Sequence, residues 1–293
     1  MQISENLRRI LRATHYNPAT RYSSKAACVF TVFKLKRRFA RLKRRCYWAL
    51  QNVRGSARFR KEVQGKTTPL SDLTRYERRI YSQNGEDGIL QAIFARVGVT
   101  NSFLVEFGIG SGRECNTRRL IARHKWKGLW MTANPRKPRP WMEIQREFIT
   151  AENVQAVFAK HGVPRAFDLL SIDIDGNEYW VWKALTDFRP RVVVIEYNAT
   201  VPPDQSRSIP YDPEFVWPRT DYMGASLLAL SKLGSEKGYT LVACDSFGIN
   251  AFFVDNSLAM HFEPQTVAEL YRKPRYRGGK GHPPDPCRRM VEV

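Results

Sequence analysis

The 293-residue sequence predicts a doubly wound α/β domain whose mostly parallel sheet ends in an antiparallel hairpin, preceded by a basic helical extension. Three observations predict it. Strand-like apolar runs alternate with helical periodicity from Phe103 to Tyr197. Two further strand-like runs, Tyr239–Asp245 and Asn250–Asp255, are joined only by Ser246-Phe247-Gly248-Ile249, a connection short enough for a hairpin. The positive charge is confined to the start: of the net +20, the first 66 residues carry 18 Lys and Arg against two acids, Glu5 and Glu62, which leaves about +4 for the other 227.

Residues 1–66 read as an arm. From Val32, apolar Leu35, Phe39, Leu42, Cys46, Leu50 and Val53 recur every three or four positions among Lys34, Lys36, Arg37, Arg38, Arg41, Lys43, Arg44 and Arg45, the pattern of a basic amphipathic helix. Such a helix fits an anionic membrane surface, with Tyr47 and Trp48 at the interface. A helix docked by its apolar stripe and a nucleic-acid contact are the alternatives, and the Arg-rich start also has the composition of a transit peptide. Gln64–Ser71 has linker composition, which puts the domain at about 67–262 and leaves 263–293, with Gly278-Gly279 and Pro283-Pro284, as a flexible tail. Five cysteines without a C-x-x-C pair argue against a disulfide framework or a structural zinc site and fit a reducing, cytoplasmic setting. No run approaches the ~18 apolar residues of a membrane span, so any membrane contact is peripheral.

The elements follow in order. Ser82 or Asn84 can cap a helix running to about Val97, with Glu86 and Asp87 in its first turn. Then come strand 103–108, helix 116–124 capped by Asn116 or Thr117, strand 128–132, strand 148–151 and helix 153–161 stopped at Gly162-Val163-Pro164. Strand 167–173, helix 179–185, strand 191–197 and a helix at about 221–237 closed by Gly238 lead to the hairpin.

Ligands of such sheets bind beyond the carboxyl ends of the strands, so the residues just past each strand carry the chemistry. After the first stands Glu106-x-Gly108-x-Gly110-x-Gly112, a spacing suited to a nucleotide-cofactor loop and distinct from the Gly-x-Gly-x-x-Gly of dinucleotide sites. Glu152 and Asn153 follow the third, Asp173, Asp175, Gly176, Asn177 and Glu178 the fourth, and Glu196, Tyr197 and Asn198 the fifth. With one residue between them, Asp173 and Asp175 point the same way in extended geometry. Two neighbouring carboxylates raise each other's pKa, which suits a proton acceptor, or they hold a hard divalent cation with Asn198 as third oxygen ligand; turn-capping aspartates are the plainer alternative. Gln83 and Glu86, just upstream of the glycine loop, either cap a helix or line the same pocket. Trp180, Trp182, Tyr197 and Trp217 offer stacking faces or core packing.

Taken together, Tyr81-Ser-Gln-Asn-Gly-Glu-Asp-Gly, Glu106-x-Gly-x-Gly-x-Gly with Asn116-Thr117, Glu152-Asn-Val, Leu170-Ser-Ile-Asp-Ile-Asp-Gly-Asn-Glu-Tyr and Val194-Ile-Glu-Tyr-Asn resemble the FkbM-like branch of the class I S-adenosylmethionine (SAM)-dependent methyltransferases over residues 76–255. The resemblance implies a Rossmann-like seven-stranded sheet, SAM as cofactor, and O-methylation of a sugar or other hydroxylated small molecule. It carries Glu106, Gly108 and Gly110 to the methionine and loop region, Glu152 to adenine and Asp173 to the reacting methyl; with Gln83, Gly112, Asn116 and Asn153 from the reading of the residues these make up the expected cofactor site, and Asp173 and Asp175 the expected catalytic pair. One departure stands out. The family's acidic residue at the end of the second strand is replaced by Thr132 and Asn134, and an uncharged amide there costs on the order of 1–2 kcal/mol of cofactor affinity. The alternatives are an RNA methyltransferase that uses the basic arm and a non-catalytic, membrane-associated adaptor that keeps the fold.

Overall fold

The computed structural model describes residues 63, 68–110, 112, 115–135, 142–276 and 281–293. The chain divides into two units, Met1–Leu50 and Gln51–Val293, and every described residue belongs to the second. The amphipathic helix read from Val32 onward, with its membrane, nucleic-acid and docking alternatives, lies outside the described residues. Val63 is buried in the same apolar layer as Leu73 and Ile89, so the folded unit takes in part of the segment read as an arm.

Five strands, β1 (Phe103–Phe107), β2 (Lys127–Thr132), β3 (Ile144–Arg146), β4 (Ala166–Ile172) and β5 (Arg189–Glu196), pair in parallel. After the two-residue β6 (Arg207–Ser208), strands β7 (Tyr239–Cys244) and β8 (Asn250–Asp255) form the hairpin, and β8 pairs antiparallel with β5. The seven-stranded sheet has the order β3-β2-β1-β4-β5-β8-β7, a Rossmann-like α/β arrangement with a C-terminal antiparallel hairpin. Helices cover both faces: α1 (Glu86–Val97) and α2 (Arg118–His124) on one, α3 (Val154–Lys160), α4 (Glu178–Ala184) and α5 (Leu227–Glu236) on the other. The period of two explains how one strand serves both layers. Leu104 and Val105 are each fully buried, Leu104 with Ile93 and Val192 on one side and Val105 with Phe158 and Leu170 on the other. At the amino end of the strands, buried Asp168 accepts hydrogen bonds from the backbone of Thr100, Asn101 and Ser102 and pairs with Arg191 at 2.8 Å, which fastens the entry to β1 onto β4 and β5.

Three elements differ from the sequence reading. The third strand is Ile144–Arg146 rather than 148–151, because Thr150 and Asn153 bond each other's backbone and close 148–153 into a turn with Phe148 exposed. The helix read from 221 begins only at Leu227, because the Ser226 hydroxyl accepts from the Ala229 amide and Gly224 takes a positive φ of 49°. Helix α1 is capped by neither Ser82 nor Asn84: Gly85 holds the N-cap position, and the acids reach back instead. Asp87 Oδ2 accepts from the amides of Ile80, Tyr81 and Ser82 and Glu86 Oε2 from that of Asn84, so both bind down the preceding turn.

The tail is the larger correction. Thr266 and Glu269 form a capping box on α6 (Val267–Leu270), Leu270 is buried in the core, and β9 (Val291–Glu292) pairs antiparallel with β6. The Val293 amide then donates to the Ser206 carbonyl at 3.1 Å. The described part of 263–293 is packed chain.

A 3-10 turn, Leu73–Tyr76, leads to Glu77, whose carboxylate accepts from the Ser246 amide and hydroxyl, both at 2.6 Å, and so ties the start of the domain to the hairpin loop. Burial pushes this carboxyl up to about 7 against the bonds from Ser246 that pull it down. A raised carboxyl pKa stabilises the fold fully below the ordinary value of 4.5 and loses that contribution as pH rises through about 7. Glu77→Gln keeps an acceptor for the Ser246 amide and never ionises. Urea titrations are expected to show it gaining on the order of 2–3 kcal/mol over wild type at pH 8 and nothing near pH 4.

Candidate active site

The carboxyl ends of β1, β4 and β5 lie side by side in the middle of the sheet, and the chain turns away from each through polar residues. Beyond β1, Gly108 donates its amide to the Met131 carbonyl at 3.1 Å and takes φ +88°. A Cβ built on it would lie 1.2 Å from the Asp173 carbonyl oxygen, so the turn rests directly on the backbone leaving β4. Gly110 is the opposite case. It has φ +53°, and a Cβ there would meet nothing within 4 Å, so its side of the turn is open. A Cβ on Gly112 would strike the Met142 sulfur.

Glu106 is only 4% exposed, and its carboxylate is fully engaged by its own loop: it accepts from the Asn116 amide at 2.7 Å, the Thr117 hydroxyl at 2.6 Å and amide at 3.3 Å, and the Cys115 thiol at 3.0 Å. Thr117 therefore spends its hydroxyl on Glu106 rather than on capping α2. The Asn116 amide group donates to Ser171 Oγ of β4 at 3.2 Å. Sequence reasoning placed Glu106 and Asn116 on the cofactor; here both brace the strands that carry the turn.

Asp173, Asp175 and Glu196 bring one carboxylate oxygen each within 4.8 Å of one another. The half-buried Asp173 is pushed well above the usual carboxylate range by burial first and then by Asp175, Glu178 and Glu106, and Glu196 is pushed the same way by burial and Asp173. Asp175 stands in the left-handed region at φ +59°, more exposed than its partners, and burial raises it as well. Beneath them, fully buried Glu178 accepts from the Ile174 and Gly176 amides at 2.9 Å through one oxygen, while the other has no hydrogen-bond partner among the described residues. Burial lifts it to about 7. Glu86, bonded to Asn250 and Asn84, adds a further nearby charge to Asp173.

Other expected site residues go elsewhere. Asn198 is buried as a turn anchor: its amide group donates to the Asp221 and Met223 carbonyls and its oxygen accepts from Thr200, so Glu196, one strand period earlier, completes the acidic trio in its place. Glu152 is exposed and accepts from the Tyr211 hydroxyl, which holds its carboxyl below the usual range. Asn153 closes the turn before α3, and Gln83 is exposed ahead of α1. Trp182 and Tyr197 are core residues at 1% and 2% exposure, whereas half-buried Trp180 and Trp217 donate their indole N–H to the carbonyls of Ile209 and Thr220.

Two residues near the trio were not legible in the sequence. Tyr276, from the tail, is pushed up to about 12 by burial and then by the charge of Glu196. Phe215 lies against Gly176, where a Cβ would come within 2.3 Å of its ring. Each sits in a segment without periodicity, and no pattern marks it.

Comparison with known proteins adds little. No family model and no curated protein matches the sequence. Among solved structures, the citrinin polyketide synthase CMeT domain is 13% identical over 61% of this chain and 52% of its own, with a TM-score of 0.32. A protein assigned as a sarcosine dimethylglycine methyltransferase from Galdieria sulphuraria is 15% identical over 53% of this chain and 60% of its own, with a TM-score of 0.28. The matched region spans a little more than half the length of each, and the fold assignment rests on the strand order itself.

Proposed function

We propose that the chain is a SAM-dependent methyltransferase that methylates a hydroxyl group of a small molecule, with Asp173 as the proton acceptor. The observation that carries this reading is the meeting, at the carboxyl ends of the central strands, of a glycine turn open at Gly110 and the trio Asp173, Asp175 and Glu196. SAM fits the site in charge and shape. Its cationic sulfonium and ammonium groups suit the carboxylates of Asp173, Asp175 and Glu196, and the open side of the turn leaves room for backbone contact at Gly110. When bound, it supplies a methyl group made electrophilic by the sulfonium charge.

The chain's own residues then do three things. Gly108, seated on the Asp173 carbonyl, fixes the distance between the turn and the base. Burial and Asp175 raise the proton affinity of Asp173, so that its carboxylate can take the proton the acceptor hydroxyl loses near neutral pH. Phe215, against Gly176, and Tyr276, near Glu196, reduce the access of bulk water.

The clustering of the trio favours a second element in the same site. Three carboxylates, with Glu196 Oε2 buried and lacking a hydrogen-bond partner among the described residues, form a hard-oxygen donor set for a divalent cation. Asp173, Asp175 and Glu196 would hold it, and it would supply charge neutralisation and acidify a bound hydroxyl.

The test is calorimetric titration of SAM into the full chain, because the tail contributes Leu270 and Tyr276 to the domain. Micromolar binding is expected, and its absence at millimolar cofactor overturns the reading in favour of a non-catalytic fold.

A further inference from the structure

A cavity of about 400 Å³ lies beyond the carboxyl end of β5, apart from the acidic trio described above. Its volume is that of a small-molecule pocket. Thr200, Arg207 and Tyr222 line it together with Asp285, Arg288 and Arg289 of the tail. The architecture is fixed from two sides. Pairing of β9 with β6 sets Val291 opposite Ser208, and the Asp221 amide donates to the Pro283 carbonyl at 2.8 Å, which brings Arg288 and Arg289 to the wall that carries Arg207.

The lining carboxylates are already engaged. Asp221 accepts from the Asp285 amide at 2.8 Å, while Asp285 accepts from the amides of Arg288 and Cys287 and the hydroxyl of Thr220, bonds that, with the nearby charge of Arg288, hold its carboxyl below the usual range. The arginines are differently placed. Arg289 donates to the Arg288 carbonyl, the Arg288 guanidinium lies 5.6 Å from the centre of the Tyr222 ring, and Glu292 stands opposite Arg207 in the strand register. Among the described residues none of the three forms an ion pair with a carboxylate. Three guanidinium forks around one cavity match the oxygens of a phosphoryl group.

The cavity is also close to the acids. Thr200 stands four residues after Glu196, and four residues span at most about 14 Å even fully extended. The chain turns within that stretch, with the Val201 amide bonded to the Asn198 carbonyl, so the true separation is shorter. The Thr200 wall of the cavity therefore lies within about 14 Å of Glu196, a span that a small phosphorylated molecule can bridge.

We propose that this cavity binds a phosphoryl group of the methyl acceptor, which makes the substrate a phosphorylated, hydroxylated small molecule. The word acceptor rests on the methyl-transfer reading; binding of the anion does not.

Arginine footprinting with phenylglyoxal on the full chain, read peptide by peptide, tests it with inorganic pyrophosphate as probe. Pyrophosphate is expected to slow modification of Arg207, Arg288 and Arg289 several-fold and to leave Arg165, on the exposed surface, unchanged. Arginines of residues 1–66 fall in other peptides and do not mask the result. In Arg207→Ala, with an unchanged melting temperature, protection at Arg288 and Arg289 is expected to weaken. Absence of protection in the wild type overturns the site, and equal protection by glucuronate overturns the phosphoryl assignment. Protection without SAM binding overturns the methyl-transfer reading alone, whereas SAM binding without protection overturns only the anion site.

Discussion

Asp173→Asn is expected to lower turnover by about 10²–10⁴-fold while SAM affinity stays within a few-fold of wild type. Asparagine has nearly the same shape but cannot take up the hydroxyl proton. The carboxylate it replaces is crowded: burial, Asp175 and Glu178 all raise its pKa. Neutralising it therefore relieves repulsion, and the variant should melt no lower than wild type in the absence of divalent cations. That combination, activity lost with stability kept or gained, separates a chemical role from a structural one. Single-turnover methyl transfer and a thermal melt on the same preparation decide it, and turnover within tenfold of wild type would rule out Asp173 as the base.

Gly108→Ala carries the largest structural effect. The added methyl would lie 1.2 Å from a backbone oxygen of Asp173, which cannot step aside as the end of a flexible side chain can, and the position has φ +88°. Overlap and strain together are expected to cost on the order of 3–5 kcal/mol. Gly110→Ala is the control. Its φ is also positive, but a Cβ meets nothing within 4 Å, so only the backbone term of about 1–2 kcal/mol applies. Urea denaturation of both variants measures the difference; equal losses would mean that the turn does not rest on Asp173.

The sheet was legible because its central strands are buried on both faces. Leu169–Ile172, broken only by Ser171, stands between Asp168 and Asp173, and Val192–Ile195 is an unbroken apolar run between Arg191 and Glu196. The edge strand β3 was not, since its three residues, Ile144, Gln145 and Arg146, are at most half-buried and leave no apolar run. The order of the tail was hidden for a similar reason: a two-residue pairing and one buried leucine are too short to show a period. In the site, residue type marks the strand ends that gather polar side chains but not what each side chain bonds. A buried glutamate bonded by its own loop and one gathered with two other carboxylates look alike in sequence, so Glu106 and Glu196 are told apart only by their partners.

The strand order has a kinetic consequence. The middle of the sheet is stitched from distant segments, with Leu104 beside Leu169 and Val192 beside Val254, whereas among the described residues the hairpin β7–β8 is the pair of the large sheet closed by the shortest connection. Refolding from denaturant should accordingly be slow, and dilute, because apolar β4 and β5 stay uncovered until remote stretches arrive and can meet a neighbouring molecule first.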